Sequence, residues 1–148
     1  MADTEKLHFK IGLSGTYWDK HPIYTILVND KIAITGKIDA ESDVTEFIEF
    51  DQEIEEGTAT LSIRLENKEN SDVVQNEDKT TIVKDLLLNI VSIEIDEIDL
   101  GHLIHSKSTF TGDEGDRPVL TKCVNLGWNG TWTLTFDSPF YIWLLENI

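Results

Sequence analysis

Apolar side chains return at every second position along most of this chain. Leu7, Phe9, Ile11 and Leu13 alternate with His8, Lys10 and Gly12, and the rhythm recurs in Ala59, Leu61, Ile63 and Leu65 and in Trp132, Leu134 and Phe136. Successive side chains of a strand point to opposite faces, so this pattern predicts sheets with one face on a core and one in water. A first strand over about residues 7–13 runs into Ser14-Gly15-Thr16 and a loop through Tyr17-Trp18-Asp19-Lys20-His21-Pro22. Residues 23–28 and 31–34 flank Asn29-Asp30, two residues that tolerate the positive φ of a tight hairpin turn.

Residues 39–56 hold nine acids and no base, yet Val44, Ile48, Phe50 and Ile54 still mark one face, which predicts a strand with an acidic exterior. Glu56-Gly57 turns the chain into the cleanest strand, 58–66, and a polar stretch from Asn67 to Thr81 then breaks every period. Residues 86–95 read as a central strand covered on both sides, with Asp96-Glu97 turning into a short return; Val83, Leu86 and Leu87 also satisfy a local helix. Asn129-Gly130 is the strongest short hairpin signal, and Phe140, Ile142 and Leu144 against Tyr141, Trp143 and Leu145 predict a last strand over 140–145. About nine or ten short strands separated by turn signals define an all-β protein, an antiparallel two-sheet β-sandwich of jelly-roll type, in one domain over residues 1–148.

Charge narrows the partners. The chain carries 28 acids and 12 bases, net −16, which repels nucleic acid and anionic membranes and favours cations and basic protein surfaces. The start MADTEKLHFK has no basic region leading into an apolar one, and no run approaches the length of a membrane span, so synthesis in a cytoplasm without membrane insertion is expected. Cys123 is the sole cysteine, suited to a small inert core or interface position.

Two kinds of residue could carry chemistry. Acidic and amide groups cluster in the connections: Asn67, Glu69, Asp72 and Asp85 in one excursion and Asp96 near a turn are candidate ligands for calcium, which takes six to eight oxygens; a solvated loop is the alternative. Tyr17, Trp18 and His21 in a loop and Trp128 beside Asn129 are candidate ligand-binding rings, against the alternative that they cap the ends of the sandwich. His102 and His105, three apart, lack two further local zinc ligands other than Glu97 and Asp99. No GxSxG, HExxH, P-loop or GxGxxG occurs, and a non-enzymatic protein is expected.

The segment from Thr58 to Leu100, an alternating strand ending in Glu66-Asn67-Lys68, a polar loop, Asp85 and then NIVSIEIDEIDL, resembles calcium-dependent xylan-binding modules. Those are small jelly rolls in which a strand ends in Asn-Asp and is followed by a loop, an Asp-Arg-Asn-Leu stretch and a Tyr-Val-Asp-x-Ile strand. The segments GTYWDKHPIYTILVNDKI and LGWNGTWTLTFDSPFYIWLL look like small relatives of this type in tailed bacteriophages, especially those of marine cyanobacteria. The resemblance implies a calcium site at Asn67, Asp85 and Asp96. This chain departs from the pattern with Lys68 in place of the Asp of Asn-Asp and with Leu86-Leu87 after Asp85, and the Lys68 cation could replace the ion by pairing with a carboxylate.

The expectation that follows is a non-catalytic virion structural protein of a tailed phage, a capsid-decoration, tail or fibre-associated part made in the host cytoplasm and released by lysis. Its partners would be other virion proteins or a host-surface glycan, with an oligomer as a further option. One alternative is a calcium-dependent glycan-binding module. Another is an acidic intracellular protein that occupies a basic host surface.

Overall fold

The computed structural model describes residues 3–148 and consists of two packed antiparallel sheets. Strands β1 (Thr4–Thr16), β2 (Ile23–Val28), β3 (Lys31–Lys37), β4 (Glu46–Glu55) and β5 (Gly57–Leu65) come first. A ribbon of β6 (Val74–Gln75) and β7 (Ile82–Lys84) follows, then β8 (Leu87–Ile95), β9 (Ile98–Asp99) and a one-turn helix α1 (Leu103–Ser106). The chain continues through β10 (Ser108–Gly112), β11 (Leu120–Thr121), β12 (Asn125–Leu126), β13 (Gly130–Ser138) and helix α2 (Phe140–Asn147). One sheet is ordered β12-β8-β1-β4 with β9 on β8; the other is β11-β10-β13-β5-β2-β3. Among the described residues nine strands have three residues or more and four are two-residue bridges, matching the expected β-sandwich.

The alternating positions face inward as their period requires. Leu7, Phe9, Ile11 and Leu13 from one sheet meet Ala59, Leu61, Ile63, Leu65, Trp132, Leu134 and Phe136 from the other, all buried. Each large apolar side chain so buried is worth about 1.5–3 kcal/mol. Asn29 and Asp30 take φ of 50° and 65°, and Asp96 and Glu97 take 50° and 69°, so both short hairpin turns lie where the sequence placed them.

Strand β8 differs from its expectation. It is buried on one face at Leu88 and Ile90, then at Ile93 and Ile95, and Val91 faces out. A bulge opposite Gly12 and Leu13 inserts one residue, because Gly12 pairs with Ser92 whereas Leu13 pairs with Ile90. One extra residue moves the inward set to the other parity, and this shift makes the strand read as apolar on both faces. A Cβ at Gly12 would lie 2.7 Å from Ser92 Oγ, so a larger residue there would force that hydroxyl aside.

Three further segments correct the sequence reading. Residues 82–88 form β7 and the start of β8 in place of a helix. Asn129-Gly130 joins β12 in one sheet to β13 in the other, so it is a crossover and not a hairpin; Gly130 is needed because a Cβ would sit 2.4 Å from the Thr111 carbonyl. Residues 140–145 belong to helix α2, which buries Phe140, Trp143 and Leu144 at helical spacing. Pro139 precedes it, and the Glu5 carboxylate of β1 accepts hydrogen bonds from the Ser138 hydroxyl and, at 2.8 Å, from Phe140 N. A carboxylate at a helix start satisfies a free amide and the dipole together, and an eight-residue helix with many apolar positions carries no distinctive period. No helix among the described residues is long and apolar enough to cross a membrane.

Candidate functional site

The loops after β1, β5, β7 and β12 gather at one end of the sandwich, because Thr16 pairs with Leu87 and Leu65 with Gly130. Asn67 and Asn129 fix this end. Asn67 Oδ1 accepts from Ile23 N and its Nδ2 donates to the His21 carbonyl, both at 2.9 Å, tying the 17–22 loop to the exit of β5. Asn129 does the same for the next residue: its Oδ1 accepts from Lys68 N at 2.8 Å and its Nδ2 donates to Lys68 O at 3.0 Å.

With its backbone clamped, Lys68 sends its side chain inward. The side chain is 9% exposed, and Nζ donates to Asp85 Oδ1 at 2.5 Å and to the Gly127 carbonyl at 2.6 Å. The same Asp85 oxygen accepts from Leu86 N. One ammonium thus joins the 66–86 excursion to the β12–β13 crossover. Beside it Asp72, buried, accepts from Glu69 N at 2.7 Å and from Lys20 Nζ at 2.9 Å, and Glu69 Oε1 lies 3.2 Å from the same ammonium. The Lys20 pKa is raised: desolvation works against its charge, and the hydrogen bonds to Asp72 and Glu69 outweigh it.

The aromatic candidates are held by the chain's own groups. Tyr17 and His21 rings lie 4.4 Å apart, the Tyr17 hydroxyl donates to the Ala40 carbonyl, and His21 Nδ1 donates to the Ile38 carbonyl at 2.6 Å. Trp18 Nε1 donates to Asp72 O at 2.9 Å, and Lys84 Nζ stands 4.7 Å over its ring. Trp128 stacks on Phe110 at 5.7 Å and carries the Arg117 guanidinium at 4.3 Å on its ring. Its Nε1 is buried and has no acceptor among the described residues. A cleft of about 220 Å³ opens beside it, bordered by Lys68, Glu69, Glu114, Arg117, Trp128 and Asn129. Sequence reasoning found Trp128 but missed Arg117 above it and the clamp made by Asn129; an Asn-Gly pair reads as a turn wherever its amide goes.

The five candidate calcium ligands are not brought together. Asp96 lies beyond the far end of β8, and nine strand residues at roughly 3.3 Å each place it about 30 Å from Asp85. That corrects its assignment to a common site. Its Oδ1 accepts from His8 N at 2.8 Å, so it fixes a turn. Of the other four, Asn67 has both amide atoms engaged with backbone, Glu69 and Asp72 face Lys20, and Asp85 faces Lys68. Among the described residues no three His, Cys, Asp or Glu side chains are grouped as a metal centre would need. This donor set does not fit a calcium ion, since an ammonium already sits on the oxygens the ion would take. His102 and His105 are exposed on and beside α1, away from any such group.

No protein family and no curated protein matches the sequence. Among solved structures, the chain is similar to vCBM60 in complex with galactobiose, at 9% identity over 86% of this chain and 96% of that one, with a TM-score of 0.56. It is similar also to a selenomethionine form of vCBM60, described under circular permutation as a link between two families of calcium-dependent carbohydrate binding modules. That match has 9% identity, covers 86% and 89% of the two chains, and has a TM-score of 0.58. At this identity the likeness shows the fold: a β-sandwich like those of carbohydrate-binding modules.

Proposed function

We propose that this chain is a non-catalytic docking module and, in keeping with the phage-like segments of its sequence, a capsid-decoration, tail or fibre-associated component of a tailed-phage virion, made in the host cytoplasm and released with the particle. The observation that carries the docking part is the self-containment of the loop end. Tyr17, Trp18 and His21 each direct a polar atom to a backbone carbonyl, Lys84 and Arg117 cover the two tryptophans, and Lys68 occupies the candidate ion position. Groups so engaged hold loops in place, and each of the two tryptophans carries a cation on its ring. In this reading calcium is not needed. Mass spectrometry of purified particles tests the virion role: presence at many copies supports it, and absence from particles that contain the other structural proteins refutes it.

A second reading, glycan binding, is favoured by one detail. Trp128 Nε1 is a buried donor with no acceptor among the described residues, next to the cleft that Lys68 and Arg117 border. A ligand oxygen could satisfy it if Arg117 swung off the ring. A glycan array with wild type and Trp128→Ala, run with and without calcium, separates the readings: binding lost in the variant supports recognition at this cleft, and calcium dependence would contradict the replacement of the ion by the Lys68 ammonium.

A further inference from the structure

The end of the sandwich opposite the loops has an unfinished surface. Helix α2 buries Phe140, Trp143 and Leu144, yet it also turns apolar side chains outward: Tyr141 is 50%, Ile142 57% and Leu145 73% exposed. These positions, at i, i+1 and i+4, form one face. A helix that is apolar nearly all round is normally covered on every side, and a contiguous exposed apolar patch marks an interaction site.

Charge around that face says what covers it. The Tyr141 phenol has a raised pKa, through desolvation first, then the field of Asp96 and a hydrogen bond to it, and then the fields of Glu5 and Glu97, so those acids stand close to one flank. On the other flank Ile142 shares a groove of about 380 Å³ with Glu56, Asp137 and Glu146. None of these six acids is in an ion pair among the described residues; Glu5 caps α2 and Asp96 accepts from His8 N, which leaves both charges unneutralised. A second copy would bring the same acidic rim against itself, and an anionic surface would be repelled.

We propose that the outward face of α2 docks a basic protein segment whose centre is apolar, with lysines or arginines meeting the acidic rim and aliphatic side chains meeting Ile142 and Leu145. This deepens the docking-module reading and rests on it, naming the surface and the partner's chemistry.

Fluorescence anisotropy of the full chain with two labelled synthetic peptides of equal length, one mixing lysine and leucine in amphipathic spacing and one all lysine, tests it. The mixed peptide is expected to bind about tenfold more tightly than the all-lysine one. Leu145→Glu removes apolar area and adds negative charge, so docking predicts roughly tenfold weaker binding of the mixed peptide, whereas attraction by net charge alone predicts equal or tighter binding. Ile32→Glu, at an exposed apolar position on β3, is expected to leave mixed-peptide affinity unchanged. Equal binding of both peptides, or indifference to Leu145→Glu, overturns the proposal. So does a concentration-dependent dimer in sedimentation, or flotation with phosphatidylcholine vesicles, that Leu145→Glu abolishes, since the occupant would then be a second copy or a lipid surface. The peptide assay is blind to virion incorporation, so it can fail while particle mass spectrometry succeeds, and the reverse.

Discussion

The two ends of the sandwich treat their carboxylates in opposite ways. At the loop end Glu66, Glu69, Asp72, Asp85, Asp113 and Glu114 each lie within ion-pair distance of Lys20, Arg64, Lys68 or Arg117. At the helix end Glu5, Glu56, Asp96, Glu97, Asp137 and Glu146 form no ion pair among the described residues, and uncovered apolar rings and chains lie between them. A chain of net −16 has few cations to place. Lys20, Arg64, Lys68 and Arg117 tie the loop end into a closed framework, whereas at the opposite end Glu5 and Asp96 accept hydrogen bonds from uncharged donors and the apolar area of α2 stays uncovered.

The contrast can be broken most forcefully at Lys68. Lys68→Ala leaves Asp85, 19% exposed, without its cation and cuts the tie to Gly127, so a loss of about 2–4 kcal/mol is expected in urea unfolding. Calcium should not restore it, because among the described residues no three carboxylate, imidazole or thiol side chains are grouped there. Asn129→Ala removes both hydrogen bonds to the Lys68 backbone and should cost about 1–2 kcal/mol by the same measurement. At the other end, Glu5→Gln weakens the anionic cap of α2 and is expected to cost about 1 kcal/mol, with loss of helical circular dichroism signal. Leu145→Glu should change stability by no more than about 0.5 kcal/mol, since that side chain contacts water.

The smallest effect lies between the ends, on the outer face of β1 and β4. His8 Nδ1 lies 2.7 Å from Asp51 and Nε2 3.1 Å from Glu49, and these two hydrogen bonds, Asp51 first, raise its pKa above the ordinary 6.5. A raised folded-state pKa means stability that is fully present below 6.5 and lost as pH rises through the higher folded value. Melting temperature followed across neutral pH should therefore decline for wild type in that window and decline less for His8→Gln. An identical slope in the variant would show that the exposed cluster adds nothing.

Much of the fold was legible because period two survives in Leu7 to Leu13, Ala59 to Leu65 and Trp132 to Phe136, and because Asn29-Asp30 lies between two apolar runs. Where a tertiary contact overrides a local signal the sequence misleads. Asn129 makes its hydrogen bonds to Lys68, 61 positions away, and the Gly130 backbone lies against Thr111, so a pair that elsewhere writes a hairpin joins two sheets. Val91 is extra only relative to Gly12 in another strand. Helix α2 depends on a carboxylate from Glu5, at the opposite end of the chain. At the candidate site, the substitution of Lys68 for an acid did signal a cation pairing with a carboxylate, because a charge change at one motif position is visible without coordinates. The separation of Asp96 from Asp85 was not, since sequence spacing does not say that the strand between them runs straight.

Strand β4 closes one sheet, and among the described residues no strand lies beside its outer row of amides and carbonyls. Such a border invites a stray strand from another molecule to add on and continue the ladder. In this protein that border carries Glu46, Glu49, Asp51, Glu53 and Glu55, so a copy arriving by the same border meets its own sign of charge. Even where many copies crowd together, pairing of β4 with the β4 of another molecule is therefore disfavoured.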